Sequence, residues 1–342
     1  MKELDLRMRE IFNTKHKNIY PPFPTKNLLI EVTNACNCNC IFCANSKMKR
    51  KRKFIDKNLV FKVLDEAFEL GMREVGFYTT GESLLDDNLA LYIKKAKKIG
   101  FNYVYITTNA ILLNENKTKD LIDAGIDSIK LSINGINEGD YTFIHGFDYY
   151  EQVMLNLKKL FNYRNKYNLT FKIFVSYIAT RYTDYDINEI KKHFENLCDE
   201  VAVVNVRNQS GMMPEINRLL SCINTDNKIQ AERVVPCHYV FDTVNVSCEG
   251  YLTACCTDFE NYLAYANLNI TSLKDAWHNE LITSLRKKHL ENNLCDTLCS
   301  NCINCSLIIP KPLSIDYIEK PITYQVFSSN SVNERIQKRL KL

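Results

Sequence analysis

From Asn27 onward, short apolar runs alternate with longer amphipathic ones. The runs Leu28–Val32, Glu74–Tyr78, Tyr103–Thr107, Ser128–Ser132, Phe171–Ser176 and Val201–Asn205 are rich in β-branched and aromatic residues. That is the pattern of strands buried on both faces of a parallel sheet. Between them lie helical patterns; in the first, Leu59, Val60, Val63, Leu64, Ala67 and Phe68 share one face. Gly71, Gly100 and Gly125 each follow such a helix and precede a strand, where glycine supplies the left-handed residue that ends a helix. Six strand–helix repeats predict an α/β fold with a parallel sheet and right-handed crossovers.

The flanks read differently. Residues 1–26 form a short lead-in, with a helix expected over Asp5–Phe12 and Pro21-Pro22-Phe23-Pro24 after it. Residues 27–215 hold the repeats. A linker-like stretch over 211–235 carries Gly211, Pro214 and the polar run Asn224–Asn227, and a Cys-rich unit spans 216–309. The tail, 310–342, offers an extended piece near Tyr317–Val326 and a basic amphipathic end, Val332–Leu342, that packs on the rest of the chain or mediates association.

Composition narrows the class. A chain of 342 residues can bury a large core in more than one domain. A net charge of +4 is small for this size and gives no reason to expect nucleic acid as a partner. No apolar run reaches the ~20 residues of a membrane span, and the charged N-terminal stretch lacks the apolar core of a signal peptide. Fourteen cysteines without such a leader point to a reducing cytoplasm and to metal ligation rather than disulfides. Ten of them fall in two clusters, Cys36 to Cys43 and Cys255 to Cys305, and only Cys198, Cys222, Cys237 and Cys248 lie elsewhere.

The first cluster, Cys36-Asn37-Cys38-Asn39-Cys40-Ile41-Phe42-Cys43, follows the first strand at once. Thiolates are the usual ligands of iron–sulfur cubanes, which normally take four. The triple Cys36, Cys40 and Cys43 would hold three irons and leave one open, as a catalytic metal site keeps a vacant position. A zinc knuckle or spare thiols are the bland alternatives. Cys38 is a bystander by spacing, with an alternative ligand role left open.

This C-x3-C-x2-C triple with an aromatic residue before its last cysteine, here Phe42, resembles the signature of the radical S-adenosylmethionine (radical SAM) superfamily. The resemblance implies a partial (β/α)6 barrel, with a [4Fe-4S] cluster whose open iron chelates the methionine part of S-adenosyl-L-methionine. It further implies one-electron cleavage of a carbon–sulfur bond to give a 5′-deoxyadenosyl radical. In barrels of parallel strands, chemistry sits at the C-terminal strand ends, where Cys36 to Cys43 fall.

Further matches line that edge. Thr79-Thr80-Gly81-Glu82-Ser83 is similar to the family's Gly-Gly-Glu-Pro segment, which implies that Gly81 and Glu82 bind the cofactor's amino group; Thr80 and Ser83 depart from it. A plain turn capped at Ser83 is the alternative. Thr107-Thr108-Asn109-Ala110 resembles the family's Thr-Asn-Gly, with a structural role. Leu131-Ser132-Ile133-Asn134-Gly135 resembles Ser-Ile-Asp-Gly, which implies a cofactor hydrogen bond at Ser132, with Asn134 standing where Asp is usual. Where the family often has an arginine for the cofactor's carboxylate, the nearest equivalent here is His145, a weaker and pH-dependent partner. Arg181 and Arg207 are other candidates.

The basic run Lys47 to Lys53 begins four residues past Cys43. It reads either as a solvated loop or as a face for an anionic substrate such as a phosphate or nucleotide-linked sugar.

The chain from Cys237 resembles a SPASM or shorter twitch domain: Cys237, then Gly250 with Cys255-Cys256, Trp277 on a helix, and the spacing Cys295-x3-Cys299-x2-Cys302-x2-Cys305. The resemblance implies an auxiliary [4Fe-4S] cluster held by Cys237, Cys255, Cys299 and Cys302. Cys256 is open as a replacement for Cys255, as is Cys302 with Cys305 as the terminal pair, and a four-cysteine zinc site is the alternative. Cys248 is read as buried and inert.

Together these features imply a cytoplasmic radical SAM oxidoreductase. It would abstract hydrogen from a polar small molecule (a sugar, an aminocyclitol or a nucleotide-linked compound), with net dehydrogenation through the auxiliary cluster. The single-cluster appendage resembles that of aminocyclitol dehydrogenases. An external one-electron reductant such as flavodoxin or ferredoxin is expected. The alternatives are a peptide-modifying maturase, in which Cys38, Cys198 or Cys222 could return a hydrogen atom, and a non-catalytic electron carrier.

Overall fold

The computed structural model describes residues 18–213, 216, 220, 235–304, 306, 308–323 and 330–339. The expected helix over Asp5–Phe12, most of the linker, Cys222, Cys305 and the end of the Tyr317–Val326 piece lie outside these residues.

Among the described residues nine strands form one sheet, in the order β6-β5-β4-β3-β2-β1-β7-β8-β9. Strands β1 (Leu28–Ile30), β2 (Glu74–Gly76), β3 (Tyr103–Thr108), β4 (Ser128–Ser132), β5 (Lys172–Ala179) and β6 (Glu200–Asn205) pair in parallel and in sequence order. All six lie where the apolar runs place them, with ends shifted by up to three residues. Strands β1 and β2 are each only three residues long because the chain leaves the ladder early to build the loops that follow.

Five amphipathic helices, α1 (Lys57–Glu69), α2 (Leu89–Ile99), α3 (Glu115–Asp123), α4 (Glu138–His145) and α5 (Tyr150–Lys166), connect β1 to β5. The face of α1 formed by Leu59, Val60, Val63, Leu64 and Ala67 is buried, and Asp56 caps its start by accepting from the Asn58 and Leu59 amides. The strands alternate between side chains in the core and side chains facing the sheet's concave interior. On β3, Val104, Ile106 and Thr108 are buried, and Tyr103, Tyr105 and Thr107 point the other way. Thr107 pairs in register with Lys130, which pairs with Phe174; Ser132 pairs with Ser176.

One feature of the Cys-rich unit was not legible in the sequence. Its first strand, β7 (Val244–Val246), pairs in parallel with β1, and β8 (Tyr251–Thr253) and β9 (Ala264–Asn267) follow antiparallel. The small Cys-rich portion thus continues the barrel's own sheet past β1. Trp277 tethers the entry of the chain: its Nε1 donates to the Pro21 carbonyl at 3.0 Å, Phe23 packs edge-on against its ring, and Arg286, fully buried, stacks over it at 4.3 Å. The C-terminal helix, α6 (Asn330–Arg339), docks on α4, where Arg339 pairs with Asp140 and lies over the Phe143 ring.

Candidate functional site

The loop after β1 is anchored at both ends. Ile41 and Phe42 are buried in the core. The Asn39 and Ile41 amides donate to the His145 and Ile144 carbonyls at 3.0 and 2.8 Å. Asn45 donates through Nδ2 to the Asn34 carbonyl and to the Thr80 carbonyl at 2.7 Å. The cysteine side chains project between these anchors and are half-buried. The Cys38 amide donates to the Cys36 sulfur and the Asn45 amide to the Cys43 sulfur, each at 3.5 Å, contacts that favour thiolates. Cys38 and Cys40 lie with His145 inside a 4.8 Å group, and Cys36 and Cys43 lie outside it. Four thiolates on one tetrahedral zinc would sit about 3.8 Å apart, given Zn–S bonds of about 2.3 Å. Three thiols on one short loop, with backbone amides donating to the Cys36 and Cys43 sulfurs, suit an iron–sulfur cluster.

Gly81 sits against this loop. A Cβ there would lie 2.2 Å from the Thr33 carbonyl oxygen and 2.5 Å from that of Ala35, so only glycine permits the approach. The next residue closes it, with the Glu82 amide donating to the Ala35 carbonyl at 2.8 Å. The buried Glu82 carboxylate accepts from Thr108 Oγ1 (2.7 Å), the Leu84 amide (3.0 Å) and the Asn109 amide (2.7 Å). Burial raises its pKa against these donors. Asn109 also reaches the cluster loop, donating through Nδ2 to Asn37 Oδ1 at 2.6 Å.

Ser132 ends β4 and faces the interior beside Ser176. Asn134 is buried; its Oδ1 accepts from the Ile178 amide at 2.7 Å, and its own amide donates to His145 Nε2 at 3.2 Å. His145 ends α4 with its Nδ1 3.5 Å from Cys40 Sγ and its ring stacked on Tyr141. Arg181 is exposed. Cys198 precedes β6 and so lies at the opposite end of the strands from the cluster loop.

Within the basic run Lys49, Lys51, Arg52 and Lys53 are exposed, as the solvated-loop reading expects, and Arg50 departs from both sequence readings. Arg50 is buried and forms a bidentate pair with Glu31 at 3.0 and 3.1 Å. It also donates to Glu249 at 2.7 Å and to the Phe259 carbonyl at 2.8 Å. The amides of Lys49 and Arg50 donate to Glu260, and Arg52 donates to the Asn34 and Asn45 carbonyls. Burial opposes ionisation of Glu31, but the Arg50 charge outweighs it and holds the carboxyl at about 2. Arg50 thus fastens the run to the Cys-rich portion, and Arg52 fastens it to the cluster loop.

A second recess, of about 340 Å³, brings together Cys237, Cys255, Cys299 and Cys302, the four thiols expected to act as one set, with Ser210 beside them. Cys256 is not on its wall, Cys295 is exposed, and Cys305 is not among the described residues. The segment after β6 seals the recess. Gly211, at φ +84°, approaches so closely that a Cβ would fall 2.3 Å from that of Asn301, and Asn208 donates to the Asn301 and Cys302 carbonyls at 3.1 Å. Ser210 Oγ lies 3.2 Å from Cys255 Sγ.

Another small recess lies beside Cys255 and Cys256 and is lined as well by Glu31, Thr79, Thr80 and Asn245. Cys255 borders both recesses. Thr79 Oγ1, Thr107 Oγ1 and Asn245 Oδ1 are buried without a hydrogen-bond partner among the described residues. Lys130, in register with Thr107, forms no hydrogen bond or ion pair among the described residues. Its Nζ lies 5.4 Å over the Tyr78 ring, and burial lowers its pKa against the pull of Cys256.

Residues 30–201, half of the chain, match the model of the radical SAM superfamily. The chain belongs to that superfamily. Residues 237–304 match the SPASM iron–sulfur cluster-binding domain. This radical SAM enzyme therefore uses S-adenosyl-L-methionine, a SAM-binding [4Fe-4S] cluster and an auxiliary iron–sulfur cluster.

Among curated relatives, it is 32% identical over 130 residues to a probable GTP 3′,8-cyclase of Methanothermobacter thermautotrophicus, covering 38% of this chain and 42% of that one. It is 25% identical over 229 residues to a PqqA peptide cyclase of Bradyrhizobium diazoefficiens, covering 62% and 58%. The chain thus spans about half the length of these relatives. Among solved structures, BtrN in complex with AdoMet and 2-DOIA superposes with a TM-score of 0.53 at 20% identity, over 86% of this chain and 98% of that one. Streptococcus suis SuiB bound to precursor peptide SuiA gives 0.59 at 17% identity, over 78% and 67%. These likenesses establish the shared fold. No helix among the described residues is long and apolar enough to cross a membrane.

Proposed function

We propose that this radical SAM enzyme removes hydrogen from a polar small molecule bearing an anionic group, such as a phosphorylated or nucleotide-linked sugar or aminocyclitol, with net dehydrogenation. The observation that supports this reading is a set of buried polar groups near the auxiliary thiols. Among the described residues, Thr79 and Asn245 leave unpartnered polar atoms on the recess beside Cys255 and Cys256, Thr107 does so on β3, and Lys130, in register with Thr107, has no ion-pair partner. Buried polar groups are ordinarily satisfied, so these residues are suited to a hydroxyl-rich ligand, with Lys130 supplying the charge.

In this reading Cys36, Cys40 and Cys43 hold the SAM-binding cluster, packed by Phe42. Gly81, Glu82, Ser132 and Asn134 shape the cofactor pocket, and His145 borders it. Cys237, Cys255, Cys299 and Cys302 hold the auxiliary cluster. When bound, these groups supply one-electron cleavage that yields a 5′-deoxyadenosyl radical and a nearby acceptor for an electron. The chain's own part is to keep the interior dry and hold the substrate still. The Arg50 network closes the Cys-rich residues 216–309 over the barrel residues 27–215, and Lys130 orients the ligand's anionic end. A cytoplasmic setting and an external reductant such as flavodoxin or ferredoxin belong to the same reading.

A peptide-modifying role is the second reading, favoured by the match to a PqqA peptide cyclase. Anaerobic reconstitution with dithionite and S-adenosyl-L-methionine separates the two. 5′-Deoxyadenosine release should rise with phosphorylated sugars or aminocyclitols, with deuterium passing from labelled substrate into the product. Lys130→Gln should raise KM for anionic substrates above that for their neutral parents. Stimulation by a peptide alone would overturn the first reading.

A further inference from the structure

His145 sits in a geometry that fixes its protonation. Its Nε2 faces the Asn134 backbone amide at 3.2 Å, and an amide can only donate. Nε2 therefore carries the lone pair, and the proton of the neutral ring is on Nδ1. That atom lies 3.5 Å from Cys40 Sγ, within range for an N–H donating to sulfur. The ring cannot turn away: Tyr141 stacks on it with centroids 4.1 Å apart and planes inclined by 17°, and the residue is 1% exposed. Asn134 is held in turn by the Ile178 amide. The chain Ile178–Asn134–His145–Cys40 thus runs from β5 to one corner of the cluster loop.

A second group approaches the same corner from the other end of the sequence. On α6, Val332 and Ile336 are buried, and Arg335 stands on the same side of the helix. Its Nη2 lies 2.8 Å from where a Cβ on Gly146 would be, next to His145, and the Asn39 carbonyl lies 2.9 Å from that same point. Its Nη1 is buried and has no hydrogen-bond partner among the described residues. Asn39 immediately precedes Cys40 in the chain, which sets the guanidinium beside the same corner of the loop.

We propose that His145 and Arg335 are positioning residues for the SAM-binding cluster: His145 donates its Nδ1 proton to the Cys40 sulfur and Arg335 sets a cation beside it, so that the cluster accepts an electron more readily. The physical basis is that reduction adds negative charge to the cluster, and donors to its sulfurs and nearby cations stabilise that charge. This rests on Cys40 being a cluster ligand. It assigns to the C-terminal helix a function that neither matched domain contains.

The test is an EPR-monitored potentiometric titration of the full chain, reconstituted anaerobically. The SAM-binding cluster is recognised by the change in its signal when S-adenosyl-L-methionine is added. His145→Leu and Arg335→Gln should each make its reduction roughly tenfold less favourable, a shift of about 59 mV to more negative potential for a one-electron couple. The auxiliary cluster's midpoint should stay in place. His145→Asn, whose Nδ2 can stand where Nδ1 stood, should recover most of the shift, which a merely structural role would not. If His145→Leu fails to assemble the cluster, Arg335→Gln and His145→Asn still decide the matter through their midpoints and through the Fe–S(Cys) stretches in resonance Raman. Unchanged midpoints in both the His145→Leu and the Arg335→Gln proteins, or equal loss in His145→Leu and His145→Asn, would overturn the proposal. A SAM-responsive signal that survives Cys40→Ala would instead overturn the ligand assignment beneath it.

Discussion

Arg50 and Glu31 form a bidentate ion pair at 3.0 and 3.1 Å, with side chains 1% and 2% exposed. Glu31 leaves the end of β1 and Arg50 comes from the run after the cluster loop. The Cys248 amide donates to Glu31 at 2.9 Å, Thr80 donates to it as well, and Glu249 takes the other side of Arg50 at 2.7 Å. One guanidinium therefore joins the first strand, the cluster loop and the Cys-rich portion.

Removing one partner of such a pair strands a buried charge. Arg50→Met should destabilise the apo chain by about 3–5 kcal/mol, read as a lower urea midpoint. Glu31→Gln combined with Arg50→Met should recover part of the loss, because the buried Glu31 charge is then gone too, while Glu249 keeps its own. Equal stability of Arg50→Met and the parent would contradict the network.

The same network carries a pH dependence. Burial raises Glu260 to about 7 and Asp258 to about 6, against the amides that hydrogen-bond each. Each carboxyl is easier to protonate folded than unfolded. Its contribution is fully present below the ordinary carboxylate range and is lost as pH rises through the folded value. Stability should therefore fall between about pH 4.5 and 7 by at most roughly 3 kcal/mol per group. Glu260→Gln should flatten that slope. Glu31 works the other way: held at about 2, it contributes above its ordinary range and is lost only in strong acid. Midpoints of denaturation measured across this range check both signs.

Much of the fold was legible because its signals are local. The six parallel strands follow from apolar runs a few residues long, and the cluster loop from the spacing of Cys36, Cys40 and Cys43 directly after one of them. What escaped depends on contacts across the chain. No local pattern marks β7 as a partner of β1, since Val244–Val246 is a three-residue run 216 residues from its neighbour in register. Arg50 looked solvent-facing because it sits among lysines; its three acids come from residues 31, 249 and 260. The tail carried no recognisable chemistry, yet Arg335 reaches the Cys40 corner. In sequence Cys256 stood open as a replacement for Cys255; in the fold Cys255 lines the recess with Cys237, Cys299 and Cys302, and Cys256 does not.

That difference is testable by iron content. Cys255→Ala should lose the auxiliary cluster, and with it about half of the iron; Cys256→Ala should retain both clusters. The triple variant of Cys36, Cys40 and Cys43 to Ala should keep the other half. Full iron in Cys255→Ala would move the assignment to Cys256.

Gly81→Ala tests the contact between the cluster loop and the turn after β2. A Cβ 2.2 Å from the Thr33 oxygen forces those backbones apart. The variant should bind S-adenosyl-L-methionine at least tenfold more weakly, seen by equilibrium binding, and keep its auxiliary cluster. Unchanged affinity would show that the turn does not shape the pocket.

The central claim is that the Cys36–Cys40–Cys43 cluster keeps one iron free for the cofactor. Electron–nuclear double resonance on the reduced protein with S-adenosyl-L-methionine, isotopically labelled at its amino nitrogen and carboxylate oxygens, tests it directly. Strong coupling of both labels to the cluster is the predicted result, abolished by Cys40→Ala. Absence of coupling in fully loaded protein, with all four irons of that cluster held by the chain, would contradict it.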